Sequence, residues 1–338
     1  MVARTTPLRV LRVTLLSLVA LAVVIAFSLT FGVEHVDLRR AFSDPGSVDA
    51  GILFGTRITR VALGALVGAA LAPAGVAFQA ILRNPLADPY VLGVSGGAAV
   101  GGTAAIVIGN GTGWLETWTL PLWAFVGALA AIGTVFIFGR VRGRLVPNVA
   151  LLAGVVVNAL AAAIIVAIRL IASPDAAHGA LYWLTGTLSP VEPVRLAALG
   201  AYVAAGLAIL YSLAVPMNAL ALGDEGAHAV GVETERTRRL IFLAASLLTG
   251  AAVAFAGPIG FVGIVVPHVL RGTLGPDHRV LLPASALGGA AFLVAADTAA
   301  RMSFLAIGTE PTVGVLTALC GAPFFLFILR RRGAERVF

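Results

Sequence analysis

The sequence contains no lysine, one cysteine and few charged residues of either sign. Of its 338 residues, 12% are charged and 59% are hydrophobic, whereas a soluble domain carries roughly 25% charged residues. This shortage of charge excludes a soluble globular domain. The lone Cys320 excludes an internal disulfide and a metal cage built from cysteines. A nucleotide-binding P-loop requires a lysine, so this chain does not contain one.

All 23 basic residues are arginines, and the formal net charge is +7. They lie in short clusters between apolar runs rather than along one continuous stripe. Such clusters are typical of membrane topology, where positive residues accumulate on the cytoplasmic side. A nucleic-acid-binding protein would concentrate them on one face. We therefore expect membrane lipid around the chain and no nucleic-acid partner.

Apolar runs near the length that spans a hydrocarbon core of about 30 Å recur along the whole chain. Because unpaired backbone cannot face lipid, we predict a single all-α integral membrane domain over residues 1–338, with about ten transmembrane helices. The run at 259–271 is short and is expected to lie obliquely or to be shielded by its neighbours. The predicted spans are 10–33, 57–82, 91–109, 120–139, 149–172, 194–215, 239–257, 259–271, 280–302 and 311–330.

An even number of spans puts both termini on the same side of the membrane. With the N-terminus in the cytoplasm, most arginines fall on the cytoplasmic side, as the positive-inside rule requires. We therefore predict that both termini are cytoplasmic. Arg57, Arg60 and Arg301 are among the arginines left at the outer ends of helices.

An internal repeat relates the second span to the seventh. Residues 68–75 read GAALAPAG and residues 250–257 read GAAVAFAG. An offset of five helices inverts the second half relative to the first, which is a common transporter architecture. We predict two inverted five-helix halves, at roughly 1–172 and 194–330. The alternative is a chance match in a chain rich in alanine and glycine.

The most specific segment is residues 83–98, RNPLADPYVLGVSGGA. Its two prolines interrupt a helix, and its polar side chains and glycines favour a tight turn into the next span. The local interpretation is a rigid hairpin on the inner face. The residues assigned to this structural motif are Arg83, Asn84, Pro85, Asp88, Pro89 and Gly93.

This segment resembles the hallmark run of the permease family of ABC importers for ferric siderophores, haem and vitamin B12. The resemblance covers nearly the whole chain, with small departures at 58–59 and at Pro73. Further matching segments follow in the same order at 57–60, 183–186, 257–271, 275–279, 282–283, 296–301 and 310–325.

The resemblance implies an importer complex in the bacterial cytoplasmic membrane. It implies a second permease chain, identical or related, and two ABC ATPase subunits that hold ATP and Mg²⁺. It also implies an extracytoplasmic binding protein that delivers a metal chelate. This chain would then be no enzyme and would carry no cofactor, catalytic residue or metal site. Ferric siderophore is the first expectation for the cargo because it is the family's most frequent one, with haem or cobalamin as the alternatives.

A long segment on the predicted inner face, 216–238, is the candidate ATPase-coupling loop. It is longer than a connector requires, its glycines can end short helices, and its acids suit a first helical turn. The resemblance implies short helices held in a cleft of the ATPase; the alternative is an ordinary polar connector. The candidate coupling residues are Ala219, Leu220, Leu222, Gly223, Asp224, Glu225, Ala227, Val230 and Gly231.

The outer arginines are the candidate docking residues. The resemblance implies that Arg57, Arg60 and Arg301 receive glutamates of the binding protein; the alternative is that they anchor helices at the membrane surface. Asp297, four residues before Arg301, is expected to pair with it along the helix. The resemblance also makes Pro147 and Asn148, in the turn before the fifth span, candidates for a gate at the cytoplasmic exit.

Two other classes of protein fit the sequence less well than the importer. An ion-driven secondary transporter would fit the inverted repeat, but it would require several ionisable groups within the membrane, and few are present. A membrane-embedded enzyme would require paired carboxylates, clustered histidines or a nucleophile with its base. The sequence offers none of these sets.

Overall fold

The computed structural model describes residues 6–34, 36–85, 87–109 and 116–335, and nearly all its regular structure is α-helical. Both predicted cytoplasmic termini lie outside the described residues. The helices are α1 (Pro7–Thr30), α2 (Leu38–Ser43), α3 (Val48–Ala50), α4 (Ile58–Leu82), α5 (Val94–Ile108), α6 (Glu116–Phe138), α7 (Pro147–Leu170), α8 (Pro174–Leu184), α9 (Pro193–Ser212), α10 (Ala214–Leu220), α11 (Asp224–Ala229), α12 (Thr234–Ala256), α13 (Val262–Leu274), α14 (His278–Ile307) and α15 (Val313–Glu335).

Three further elements connect these helices. A π-helical segment, Gly51–Arg57, joins α3 to α4, and a 3-10 turn, Pro89–Leu92, precedes α5. A hairpin of β1 (Arg140–Val141) and β2 (Arg144–Leu145) links α6 to α7.

The predicted crossings correspond to helices of two lengths. Within the described residues, seven are long and apolar enough to cross a membrane: α1, the continuous segment through α3 and α4, α6, α7, α9, α12 and α14. Three shorter apolar helices, α5, α13 and α15, complete the set. The prediction of an all-α membrane fold with about ten transmembrane helices is confirmed.

The predicted coupling loop ends earlier than expected. Helix α12 begins at Thr234, so the last residues of the 216–238 segment are helical and the connection ends at Glu233. The arginines at 236, 238 and 239 interrupt the hydrophobic pattern that marks a span. They do not interrupt the helix itself, because arginine is a good helix former.

The two halves of the chain interleave at the centre of the protein. Helix α4 packs mainly against α14, α12 and α13 of the second half. Helix α12, its counterpart in the repeat, packs against α4 and also against α6 and α5 of the first half. Each repeat helix thus contacts the third and fourth helices of the opposite half, as expected for inverted halves.

Two broken helices meet inside the protein. Helix α5 has 15 residues and α13 has 13, too few to cross about 30 Å at 1.5 Å per residue. The irregular segments before them contact each other: the backbone N–H of Ile259 donates to the Tyr90 hydroxyl, and Asp88 hydrogen-bonds the backbone of Phe261. Irregular backbone is tolerated at membrane depth when protein buries it. The 83–98 run is therefore more than a hairpin at the surface.

A glycine contact sets the register between α4 and α14. A Cβ on Gly68 would lie 2.1 Å from the carbonyl oxygen of Gly289, and a Cβ on Gly289 would lie 2.3 Å from that of Gly68. Only glycine at both positions permits this approach. The two helices run antiparallel, so residues about eight positions from the contact meet again at Arg60 and Asp297.

Neighbouring glycines of α14 provide a matched test of this contact. We expect Gly289→Ala to destabilise the protein by about 1–3 kcal/mol because the added methyl group meets backbone. Gly288→Ala meets side-chain atoms rather than backbone, Leu270 Cδ1 at 3.1 Å and Val266 Cγ1 at 3.4 Å, and should stay near wild type. Unfolding by sodium dodecyl sulfate in mixed micelles measures both variants. Equal stability of the two would contradict the assigned register.

Candidate functional site

Arginines from α4 and α14 converge on one buried carboxylate. This cluster lies at the N-terminal end of α4, next to Arg57. Arg60 donates from Nε to both oxygens of Asp297, at 2.9 and 3.1 Å, and from Nη2 at 2.8 Å. Its Nη2 also donates to Glu310, in the segment between α14 and α15. The Asp297 side chain is only 2% exposed, whereas that of Glu310 is 35% exposed. We call Arg57, Arg60, Asp297, Arg301 and Glu310 the Asp297 cluster.

Arg301 ties this cluster to α1. Its Nε donates to Asp297 at 3.2 Å, which confirms the predicted pairing along α14. Its Nη2 donates to the Ser28 hydroxyl at 2.7 Å and to the Ser28 carbonyl oxygen at 3.2 Å. Ser28 was missed by the sequence analysis, because the first span holds several hydroxyl side chains, Thr14, Ser17 and Thr30 among them, and nothing in the sequence distinguishes Ser28 from these.

Arg57 is turned inward and binds the end of α1. It donates to the carbonyl oxygens of Leu29 at 2.9 Å, Thr30 at 3.2 Å and Glu34. The last carbonyls of a helix have no partner within that helix, so this arginine supplies the missing donors. Arg57 and Arg301 are 6% and 7% exposed. Of the three predicted docking arginines, Arg60 is therefore the most accessible here, with a side chain that is 22% exposed.

A second ionic cluster lies at the opposite end of α4. Arg238 of α12 donates from Nη1 to Asp224 at 3.0 Å, and both Arg238 and Arg83 contact the other Asp224 oxygen. Arg83 also donates to the carbonyl oxygen of Leu220 at 3.2 Å. Asp224 thus joins the end of α4, the start of α11 and the first turns of α12. We call Arg83, Asp224 and Arg238 the Asp224 cluster.

The charge of Asp224 is held by its arginines. Hydrogen bonding to Arg238 is the main cause that lowers the pKa of this carboxyl below 3.8, and Arg83 adds to it. A depressed pKa means that the interaction is fully present above the ordinary value. It is lost only when the pH falls through the lower, folded-state pKa. The cluster therefore persists at every physiological pH.

The predicted coupling residues form two short helices with a turn between them. Gly223 and Gly231 have φ of +96° and +80°, as expected for glycines that end helices. Asp224 and Glu225 occupy the first turn of α11, where negative charge interacts favourably with the helix dipole. Leu222 and Val230 are 67% and 62% exposed. The remaining predicted coupling residues, Ala219, Leu220 and Ala227, are buried.

A groove of about 830 Å³ lies beside α11. It is lined by Asp224, Glu225 and His228, and also by residues 144–147, which run from β2 to the first residue of α7. The predicted gate residue Pro147 thus lies on this groove, and Asn148 follows it in the first turn of α7. The carboxylate of Glu235 binds the backbone N–H of Leu145 at 3.2 Å, so the hairpin is fixed to α12.

One connection between the coupling segment and the membrane helices was not predicted. Asn218 of α10 donates to the carboxylate of Asp277 at 2.9 Å, and its side-chain oxygen accepts from the backbone N–H of His278 at 3.0 Å. Asn218 thereby holds α10 against the first turn of α14. The pairing joins positions about 60 residues apart, so no local sequence pattern predicts it.

Comparison with known proteins decides the family. A sequence model of the FecCD transport family matches residues 19–331. The chain belongs to the FecCD transport family. Among relatives of this FecCD protein, the cobalamin import system permease protein BtuC of Halobacterium salinarum is 45% identical over 314 residues, covering 93% of this chain and 79% of the relative. The hemin transport system permease protein HmuU of Yersinia pestis is 38% identical over 282 residues, covering 83% of each chain.

A solved structure also resembles the FecCD chain along its length. It is described as an inward-facing conformation of a metal-chelate type ABC transporter. It has a TM-score of 0.82 and 28% identity, and the match covers 95% of this chain and 99% of the other. The resemblance inferred from the sequence motifs is confirmed: the chain is a permease of a family of metal-chelate ABC importers.

Proposed function

We propose that this permease translocates a metal chelate that an extracytoplasmic binding protein delivers, with energy from separate ATPase subunits. Membership of the FecCD transport family over residues 19–331 carries this proposal. The absence of lysine supports the division of labour, since a P-loop requires one. ATP and Mg²⁺ then belong to the ATPase partners, and this chain supplies the path together with a second permease chain of the same or a related kind.

The proposed orientation puts the Asp297 cluster outside and the Asp224 cluster in the cytoplasm of a bacterium. The bias of the arginines toward one side supports it. The N-terminal part of α1 lies near the Asp224 end, where Arg9 donates to the carbonyl oxygen of Leu274 at 2.7 Å. Helix α15 begins near Arg60 and runs toward that same end. Both observations are consistent with two cytoplasmic termini.

Docking and coupling follow from this orientation. The binding protein contacts the outer end around Arg60, where a bidentate arginine gives register as well as attraction. The ATPase contacts α11 and the adjoining groove, where exposed Leu222 and Val230 supply apolar area. Movement of α11 is transmitted through Asp224 to α4 and α12. Pro147 and Asn148, beside the groove, act at the cytoplasmic exit.

The cargo has three supported candidates. Ferric siderophore is the most frequent cargo expected from the sequence resemblance. Cobalamin is favoured by the 45% identity to a cobalamin import permease. Both are bulky metal chelates, so a wide path with few fixed polar groups suits either. Haem is the third member of the same class, supported by the 38% identity to HmuU.

Uptake by cells tests this function. We expect deletion of this chain to abolish accumulation of one labelled chelate among ferric siderophore, cobalamin and haem, and its re-expression to restore accumulation. An affinity tag on the chain should recover an ATPase and a binding protein from the complemented cells. Unchanged uptake of all three chelates, with no ATPase recovered, would reject the importer.

A further inference from the structure

Two carboxylates bind Arg60, and their burial differs widely. Asp297 is 2% exposed and serves Arg60 and Arg301 together. Glu310 is 35% exposed and binds Arg60 alone among the three arginines. A buried ion pair is costly to break because it leaves an uncompensated charge. An exposed pair contributes little and is readily exchanged for water or another carboxylate. Asp297 is thus a fixed partner of Arg60, and Glu310 is an exchangeable one.

The position of Glu310 is where an incoming carboxylate would bind. Asp297 occupies the Nε and Nη2 side of the Arg60 guanidinium from within the helix bundle. Glu310 reaches Nη2 from the segment between α14 and α15, at the exposed margin of the cluster. A carboxylate of a docking protein that approaches Arg60 from solvent must meet Glu310 first. Two carboxylates at one exposed site repel each other, so one must leave.

We propose that Glu310 is a built-in competitor that occupies Arg60 until a glutamate or aspartate of the docking protein displaces it. This inference rests on the proposed docking at the outer end of the permease. It assigns Glu310 as a residue that sets affinity for the binding protein and weakens docking while the site is empty. The segment that carries Glu310 is suited to such an exchange, because it has no regular structure and contains Gly308 with φ of +70°.

The segment that carries Glu310 is hydrogen-bonded to residues 185–187, so displacement of Glu310 would act on that loop too. Two residues beyond Glu310, the Thr312 hydroxyl donates to the carbonyl oxygen of Thr185 at 3.2 Å. The backbone N–H of Gly314 donates to Gly186 at 3.1 Å. Thr187, next in that loop, donates to the carbonyl oxygen of Ala256 at the end of α12 at 2.8 Å. The exchange at Arg60 therefore acts on a segment that continues into α15 and is linked to α12 through residues 185–187.

Binding measurements on the intact permease–ATPase complex in nanodiscs test the competitor. They use the binding protein that the tagged chain recovers from cells. We expect Glu310→Gln to raise the affinity by up to about fivefold, the range of an exposed ion pair, and to steepen its dependence on salt. Glu310→Ala should act in the same direction. Glu192→Gln is the matched control, because Glu192 pairs with Arg195 and not with Arg60; its affinity should stay at the wild-type value.

Arg60→Lys separates this inference from the docking proposal. Lysine keeps a positive charge for Asp297 but lacks the fork that serves two carboxylates at once, so it should weaken binding. If Arg60→Lys weakens binding while both Glu310 variants bind as wild type or more weakly, the competitor is rejected and docking stands. If Arg60→Lys leaves binding unchanged, docking at Arg60 fails, and the competitor with it.

Discussion

Replacing Asp297 with asparagine is expected to lower the free energy of unfolding by about 3–5 kcal/mol, the cost of removing one partner from a buried ion pair. The carboxylate is the shared acceptor of Arg60 and Arg301, and its side chain is 2% exposed. Asparagine keeps the shape but leaves the guanidinium groups of Arg57, Arg60 and Arg301 close together. Among the described residues, the more exposed Glu310 and Glu34 then remain to balance them. Reversible unfolding in mixed micelles of detergent and sodium dodecyl sulfate measures the loss.

Asp49→Asn is the matched control for that measurement. Asp49 pairs with Arg40 at 3.8 Å; the Arg40 side chain is 65% exposed and that of Asp49 is 16% exposed. Asparagine keeps the side-chain oxygen that accepts from the backbone N–H of Asp37 at 3.2 Å. A long pair with an exposed arginine contributes about 0–1 kcal/mol, so this variant should lie close to wild type. If Asp297→Asn proves as stable as Asp49→Asn, the Asp297 cluster does not hold α1, α4 and α14 together.

Replacing Asp224 with arginine is expected to reduce ATP-driven uptake by about tenfold, within the range of coupling free energies between protein sites. The reversed charge faces Arg83 and Arg238, which now repel α11 instead of holding it. The ATPase should remain bound, because Leu222, Val230 and the other residues that line the groove are unchanged. Uptake and ATP hydrolysis are measured together in reconstituted vesicles, so a loss of transport per ATP is distinguished from a loss of ATPase.

The control and the rescue for this variant come from the same end of the protein. Arg236→Glu reverses a charge whose pair with Glu233, at 4.0 Å, has both side chains more than 70% exposed. Arg236 does not line the groove, so this variant should transport normally. Combining Asp224→Arg with Arg238→Asp restores an opposite-charge pair and should recover part of the uptake. Equal transport by Asp224→Arg and Arg236→Glu would show that Asp224 does not transmit movement from α11.

The sequence allowed the helices to be predicted because their cause is local. Runs of apolar residues give spans wherever they are long enough, and glycine and acidic residues mark α11 in the correct place. The short helices α2, α3 and α8 were not predicted, because they are too short to cross the membrane. The start of α12 was placed too late, because its arginines resemble a loop in composition while they form the first turns of a helix.

The contacts that build the candidate sites could not be predicted, because they join distant parts of the chain. Arg60 and Glu310 are 250 positions apart, and their meeting depends on the close approach of Gly68 and Gly289. Only the pairing of Asp297 with Arg301 was predicted, since both lie on one helix. The inward orientation of the Arg57 side chain could not be predicted either, because its partners are backbone carbonyl oxygens, which every residue carries.

The most direct test of the whole account is accumulation of cargo by reconstituted vesicles. With the ATPase and ATP in the lumen and the binding protein outside, we expect labelled cobalamin or ferric siderophore to accumulate inside the vesicle against its gradient. Vesicles that hold this chain alone should accumulate neither under a proton or sodium gradient. Accumulation by the chain alone, driven by an ion gradient, would contradict the account.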